Sequence, residues 1–378
     1  MPIFFLCIIV VYLLINLWIV RWFWKALFGF GPVRLLVALF LCILTVLYPV
    51  SFFNRGVSPL EIAMVRLGSF WLGVFFYTFL LVILADLVSL PGRWLMFGKR
   101  GGPRLGMALI VLLISLGLGL AGWVNAAWPE LNEVNITLKT DVPRNDLTLA
   151  LISDVHLGRV ITANRLQRAL SLLIPCQPDA LLFAGDILDD HLLLDTETIR
   201  ASLAQLAPRL GTWGIVGNHE YISGPIETSL AILESLGIHV LRDNWAAPGG
   251  EILLVGRDDY SRPRFGNGER LPLNDLLGNI PDQARALPSI LLDHQPRQLE
   301  EAEAAGMDLQ LSGHTHNAQL WPFNLLIKIL YENGAGLSQR GQTQYFVSVG
   351  VGTWGPPIRN NASPEVVLLR VHFAASLP

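Results

Sequence analysis

The sequence predicts an α/β protein in two parts: a bundle of four membrane-crossing helices over residues 1–128, then a layered α/β domain. Three observations predict it. Apolar residues make up 52% of the 378-residue chain against 15% charged, which is too apolar for an ordinary soluble protein. The excess is concentrated in the first third, in runs about as long as a bilayer is thick. From Pro129 the texture changes to short β-rich runs alternating with helical patterns, as in layered α/β domains. The two parts also differ in charge, with nine Lys/Arg and two Asp/Glu before Pro129 but eighteen and twenty-eight from it onward. A domain of net −10 has the wrong sign for phosphate backbones, so no nucleic-acid partner is expected. An anionic substrate would need a local positive centre there, such as bound metal.

The four apolar runs are Ile3 to Val20, Leu35 to Phe53, Leu67 to Leu90 and Leu105 to Ala127. The first has no basic flank before it and no small-residue cleavage site, so it is expected to be retained as a span. Short-loop charge predicts the orientation. Arg21, Lys25 and Arg34 follow span one, and Arg93, Lys99, Arg100 and Arg104 follow span three, against Arg55 and Arg66 between spans two and three. The richer loops face the cytoplasm by the positive-inside rule. Four spans then return the chain to its starting side, placing the second part outside the cytoplasm, in a periplasm if the membrane is a bacterial inner membrane. Trp18, Trp22, Trp24, Trp123 and Trp128 fit aromatic belts at the span ends. Asp86, the one acidic residue within a span, is favoured as an interfacial carboxylate over an ion site. No other polar residue suggests a pathway, so anchoring is the expected role.

In the second part, residues 129–146 are expected to be linker and domain entry, with Asn125 to Val134 as the short tether, and 147–378 the folded domain. Strands are expected at Leu147 to Ser153, Ala180 to Ala184, Thr212 to Val216, Ile252 to Val255, Ser289 to Leu292, Leu309 to Leu311, Tyr345 to Val349 and Val366 to Val371. Helical spacing is found at Ala163 to Leu173, Glu197 to Ala207, Ile226 to Leu236 and Arg297 to Ala305. Cys7 and Cys42 lie in apolar runs and only Cys176 belongs to the polar part, which excludes a disulfide framework.

Five polar clusters directly follow expected strands, at the edge where open α/β sheets bind ligands. They are Asp154-Val155-His156, Gly185-Asp186, Gly217-Asn218-His219-Glu220, His294, and Gly313-His314-Thr315-His316. Five of the chain's eight histidines fall in this set. Singly, each is more often a turn or surface residue. Jointly they supply carboxylate, amide and imidazole donors in excess of one tetrahedral zinc site. They suit two divalent ions about 3.5 to 4 Å apart, which would bind a phosphoryl group and activate a water toward phosphorus. No Ser, Cys or Asp is separately set up as a covalent nucleophile.

The order Asp-x-His, Gly-Asp, Gly-Asn-His-Glu, a lone His, and Gly-His-Thr-His resembles the calcineurin-like metallophosphoesterase family from about Leu147 to the C-terminus. Within it the chain is similar to membrane-attached members described as transmembrane with a metallophosphoesterase domain, including the ending from Gly350-Val351-Gly352-Thr353 through Pro364-Glu365. The resemblance implies a β-sandwich of two mixed sheets flanked by helices. It implies that Asp154, His156 and His316 bind one metal, Asn218, His294 and His314 the other, and that Asp186 bridges them. It places His219 beside the phosphate, stabilising the transition state or protonating the leaving oxygen. Two divalent ions are implied, with Mn, Fe, Zn and Co all compatible with the mixed donors. Phosphodiesters and lipid-linked pyrophosphates are the implied substrates, with the lipid bilayer as partner. One departure stands out: the subgroup's usual Gly-Gly-Gln after the last motif is Asn317-Ala318-Gln319 here, which bears on loop conformation rather than on the metal ligands.

Two other functions compete: a nucleotide or nucleic-acid phosphodiesterase, and a non-catalytic sensor of metal or phosphate signalling through the spans. Among nearby residues, Asp189 and Asp190 read equally as groups that orient ligands or as helix caps. His191 reads as a loop histidine, Asp258 and Asp259 as turn residues, and His239, His372 and Cys176 as structural. The apolar stretch Trp321 to Tyr331 reads as buried core, against the sharper alternative of a lip that dips into a bilayer.

Overall fold

The computed structural model describes residues 2–27, 30–53, 56–95, 102–140, 144–266 and 268–375. The chain divides into two compact units, Met1–Val124 with Gly355–Ile358, and Asn125–Trp354 with Arg359–Pro378. Arg55, Lys99 and Arg100, which entered the orientation argument, lie outside the described residues.

The first unit holds helices α1 (Pro2–Ala26), α2 (Gly31–Phe53), α3 (Pro59–Leu95) and α4 (Gly102–Ala126). Each contains a segment of 20 to 31 residues long and apolar enough to cross a membrane. The third helix starts well before its apolar run, and the cause is local. Ser58 and Glu61 form a reciprocal cap, with Glu61 Oε2 3.0 Å from the Ser58 N–H and Pro59 in the first helical position. Asp86 accepts from the Trp22 indole at 3.0 Å, which suits a carboxylate held at a span end. The structure adds one buried polar pair within the spans, Asn16 and Thr45, bonded to each other and to their own helices. Both are buried, and the Thr45 hydroxyl reaches Asn16 Oδ1 at 2.9 Å. A satisfied pair joining α1 to α2 acts as interhelical glue.

The second unit is a sandwich of two six-stranded mixed sheets. Its strands are β1 (Glu130–Thr140), β2 (Leu147–Ile152), β3 (Ala180–Ala184), β4 (Thr212–Ile215), β5 (His239–Val240), β6 (Asn244–Ala246), β7 (Leu253–Gly256), β8 (Ser289–Leu292), β9 (Leu309–Ser312), β10 (Gly336–Arg340), β11 (Thr343–Val347) and β12 (Glu365–Ala375). The first sheet has the order β1-β12-β2-β3-β4-β5 and the second β10-β11-β9-β8-β7-β6. Strands β2 to β5 run parallel, as do β7, β8, β9 and β11. Alternation along each strand builds the layers. Leu149, Leu151 and Leu182 meet Leu254, Ile290, Leu292 and Leu311 between the sheets. Ala150, Ile152, Leu181 and Phe183 face outward onto Leu166, Leu170 and Leu233 of flanking helices. Leu253, Val255 and Leu291 do the same toward Leu276 and Leu299. Covered on both faces, these strands are continuously apolar, which made them readable.

The stretch 129–146 is corrected most. Rather than linker, it contains β1, an edge strand paired in parallel with β12 from Glu130↔Glu365 to Thr140↔Ala375. Ile136 and Leu138 are buried while their neighbours are polar, so only one face is covered. That half-polar pattern hid the strand among loop-like residues. Trp321 to Tyr331 is not core: it contains the helix Asn324–Leu330, in which no residue is buried.

Candidate metal centre

All five motifs sit at the C-terminal ends of parallel strands, Asp154 after β2, Asp186 after β3, Asn218 after β4, His294 after β8 and His314 after β9. Both sheets therefore contribute to one site. The turns that carry the ligands are unusual. Asp154, His156, Asp186, His314 and His316 take φ values of 52°, 54°, 51°, 72° and 49°, in the left-handed region that non-glycine residues rarely enter. Strained backbone of this kind persists where surrounding contacts over-determine it, commonly at functional sites. Glycines beside the ligands make room: Gly185 has φ +87°, and a Cβ there would come within 2.7 Å of His294 Nδ1. A Cβ at Gly313 would overlap Ser153 Oγ and an Asp154 carboxylate oxygen.

The donors fall into overlapping groups whose atoms lie within 4.8 Å of one another: Asp154 with His156 and His316, His156 with Asp186 and His219, and Asp186 with His294 and His314. Asp186 stands between the two ends, its Oδ2 3.1 Å from His294 Nε2 and 3.9 Å from His156 Nε2. His156 and His316 bring their Nε2 atoms to 3.0 Å, the spacing of two nitrogens at right angles on a cation with bonds of about 2.1 Å. His294 Nδ1 lies 2.7 Å from the Ala184 carbonyl, which fixes its proton there and turns Nε2 inward. Asn218 Oδ1 and His156 Nδ1 are buried without a hydrogen-bond partner. Buried polar atoms are seldom left so, and an amide oxygen next to this set of carboxylates and imidazoles suits a cation ligand. The residues present fit a pair of divalent ions.

Electrostatics agree. Burial works against charge on His219, but Asp186, Asp189 and Glu220 outweigh it and hold its pKa at about 9. Burial likewise opposes charge on His294, yet Asp186, Asp154 and Asp259 raise it well above its ordinary value. His314 is pushed down to about 3 by burial and by His294. The carboxylates thus favour positive charge at this centre. Cation uptake should release protons.

Several residues that the motif reading left open or passed over complete the site. Asp189 accepts from His219 Nδ1 at 2.7 Å and therefore orients that ring. Glu220 is fully buried and accepts three backbone N–H groups, those of Gly217 (2.7 Å), Leu188 (2.8 Å) and Asp186 (3.1 Å), tying the second and third motifs together. Arg359, fully buried, donates to the Val349 and Gly352 carbonyls and lies 3.0 Å from His316 Nδ1. No spacing signal marks it in the sequence. Asp190 binds Arg159 Nε at 3.0 Å and the Leu192 N–H at 3.0 Å, a loop role. His191 meets Ser229 Oγ at 3.0 Å. Asp258 is more than a turn residue: buried, it binds the Tyr221 hydroxyl (2.5 Å), Arg242 (2.6 Å) and Arg262 (3.1 Å). Asp259 accepts from Ser261 N and Gln295 Nε2. His239 lies with its ring tilted against that of Trp213, centroids 4.9 Å apart, and His372 binds Asp146, both away from the cluster.

The departure at Asn317-Ala318-Gln319 has a structural cost. All three take positive φ, 47°, 61° and 41°, where glycine would be free of strain. Ala318→Gly should therefore raise stability by about 1 kcal/mol, the relief of left-handed strain less the extra unfolded-chain freedom of glycine. Thermal unfolding of purified protein checks this; a lowered melting temperature would show that the loop is not strained.

Two mixed sheets with carboxylate, amide and imidazole side chains gathered at strand ends define a metal-binding hydrolase domain. A family model described as calcineurin-like phosphoesterase matches residues 147–318. A "transmembrane protein with metallophosphoesterase domain" from Danio rerio is 28% identical over 350 residues, covering 88% of this chain and 79% of that one. The protein of the same name from Bos taurus is 30% identical over 324 residues, covering 79% and 72%. An "uncharacterized metallophosphoesterase" from Aquifex aeolicus is 31% identical over 239 residues, covering 62% of this chain and 89% of its own. The chain belongs to the calcineurin-like metallophosphoesterase family, and it is a membrane-associated phosphoester hydrolase.

Proposed function

We propose that the protein hydrolyses phosphoester or pyrophosphate bonds with two divalent cations, in a domain held outside the cytoplasm by the four spans. The observation that carries the reading is Asp186, shared between donor groups and facing His294 on one side and His156 on the other. Asp154, His156 and His316 would hold one cation, Asn218, His294 and His314 the second, with Asp186 between them. When bound, such cations lower the pKa of a water and take up charge developing on phosphoryl oxygens.

The chain's own groups do the rest. Asp189 fixes the His219 ring through Nδ1, which leaves Nε2 to donate a hydrogen bond to a phosphoryl oxygen or a proton to the leaving oxygen. Asp186 Oδ1 accepts the His219 N–H at 2.8 Å, so ligand and acid are registered on one carboxylate. Turnover of bis(p-nitrophenyl) phosphate with Mn²⁺ tests the reading. His219→Ala should lower kcat by about 10²- to 10⁴-fold, the usual worth of a positioned acid, with metal content retained. An inert wild-type protein under these conditions would favour the sensor alternative. Extracytoplasmic placement is supported by the loop charges and is tested by labelling of a cysteine at exposed Glu300 in intact cells with an impermeant reagent; labelling only after lysis would reverse it.

A further inference from the structure

We infer that the helix Asn324–Leu330 and its flanks form a membrane-docking lip, and that the substrate is a phosphoester anchored in the bilayer. This rests on the phosphohydrolase reading above and adds the direction from which substrate arrives. Trp321, Phe323, Leu325, Leu326, Ile329 and Leu330 are all exposed, with Ile329 at 78% and Leu330 at 72%. An apolar surface of this size marks a membrane or partner interface.

The occupant follows from what surrounds it. The same chain carries four membrane-crossing helices, and three residues separate the last of them, ending at Ala126, from β1 at Glu130. So short a tether keeps the domain at a bilayer at high effective concentration. The single charge between Trp321 and Tyr331 is Lys328, which suits anionic headgroups rather than opposing them.

The lip is also built onto the metal centre. Tyr331, next after the helix, has its ring 6.4 Å from that of His314. Thr315, between two ligands, bonds the Gly334 carbonyl at 2.6 Å just beyond it. On the other side, exposed Trp354 has its ring 5.8 Å from that of His219. Apolar surface therefore borders both the histidine expected on a cation and the one expected on the phosphate. A headgroup phosphate entering there leaves its hydrocarbon chain against Trp354 and the lip, still in lipid.

The test compares two diesters with the same leaving group on the full chain in phosphatidylcholine and phosphatidylglycerol vesicles with Mn²⁺: hexadecyl p-nitrophenyl phosphate, which partitions into lipid, and soluble bis(p-nitrophenyl) phosphate. Leu325→Ser with Ile329→Ser should lower turnover of the hexadecyl ester about tenfold or more and leave the soluble ester within about twofold. Equal loss on both, or no loss on either, overturns the inference. Failure of wild-type protein on both esters strikes the phosphohydrolase reading instead, and a second measurement then decides the lip alone. With Cys7, Cys42 and Cys176 replaced by alanine, a spin label at Ile329→Cys should be shielded from a water-soluble nickel relaxant and relaxed by oxygen. A label as accessible to nickel as one at Glu300→Cys would overturn docking whatever the activity.

Discussion

Asp186→Ala is expected to abolish measurable hydrolysis of bis(p-nitrophenyl) phosphate at saturating Mn²⁺. The loss should exceed the roughly 10- to 100-fold that removing a group behind the ligands costs, because a carboxylate serving both cation positions is removed. The same substitution has a second readout that needs no catalysis. Asp186 is the strongest of the influences raising the pKa of both His219 and His294. A histidine raised from about 6.5 to about 9 contributes stability fully present below pH 6.5 and lost as pH rises through 9. Cation-free wild-type protein should therefore lose on the order of 3 kcal/mol across that window from His219. In Asp186→Ala the loss should shrink and move to lower pH. Denaturation of chelated protein at pH 6 and pH 9 checks both parts; an unchanged pH difference in the variant would show that Asp186 does not set this field.

Glu220→Ala should be the most destabilising single change among the residues around the site that are not proposed ligands. It leaves the N–H groups of Asp186, Leu188 and Gly217 without their acceptor, and a buried unsatisfied donor costs about 1–3 kcal/mol. With some rescue by water, a loss on the order of 4 kcal/mol is expected. Because those groups belong to the turns carrying Asp186 and Asn218, cation affinity should fall with stability. Glu220→Gln keeps one carbonyl oxygen as acceptor and should lie between the two. Thermal unfolding with a parallel Mn²⁺ titration reads both, and a stable Glu220→Ala with unchanged affinity would remove Glu220 from the account.

What could be read in advance followed from how each element is buried. Strands β3 and β8 are legible to the residue because an apolar run covered on both faces ends abruptly on a polar ligand or turn. The seven proposed ligands are legible for the same reason, each closely following such a run. Strand β1 is not legible in this way because an edge strand with one wet face has no such run, although Val134, Ile136 and Leu138 alternate as they should. Arg359 carries no mark in the sequence, and Glu220 stands in the third motif without a legible role, because both act on backbone carbonyls and N–H groups, for which no residue spacing codes. Nor does composition announce left-handed φ at five ligand-bearing positions, Asp154, His156, Asp186, His314 and His316. The apolar run Trp321 to Tyr331 errs in the opposite sense, since hydrophobicity alone does not distinguish core from exposed apolar surface.

Elemental analysis of protein stripped by chelation, reloaded with Mn²⁺ and desalted is the most direct test. The arrangement of Asp154, His156 and His316 at one end, Asn218, His294 and His314 at the other, and Asp186 between predicts two equivalents per folded chain and fewer in Asp186→Ala. Folded protein that retains no stoichiometric metal with any of Mn, Fe, Zn or Co supplied would contradict it.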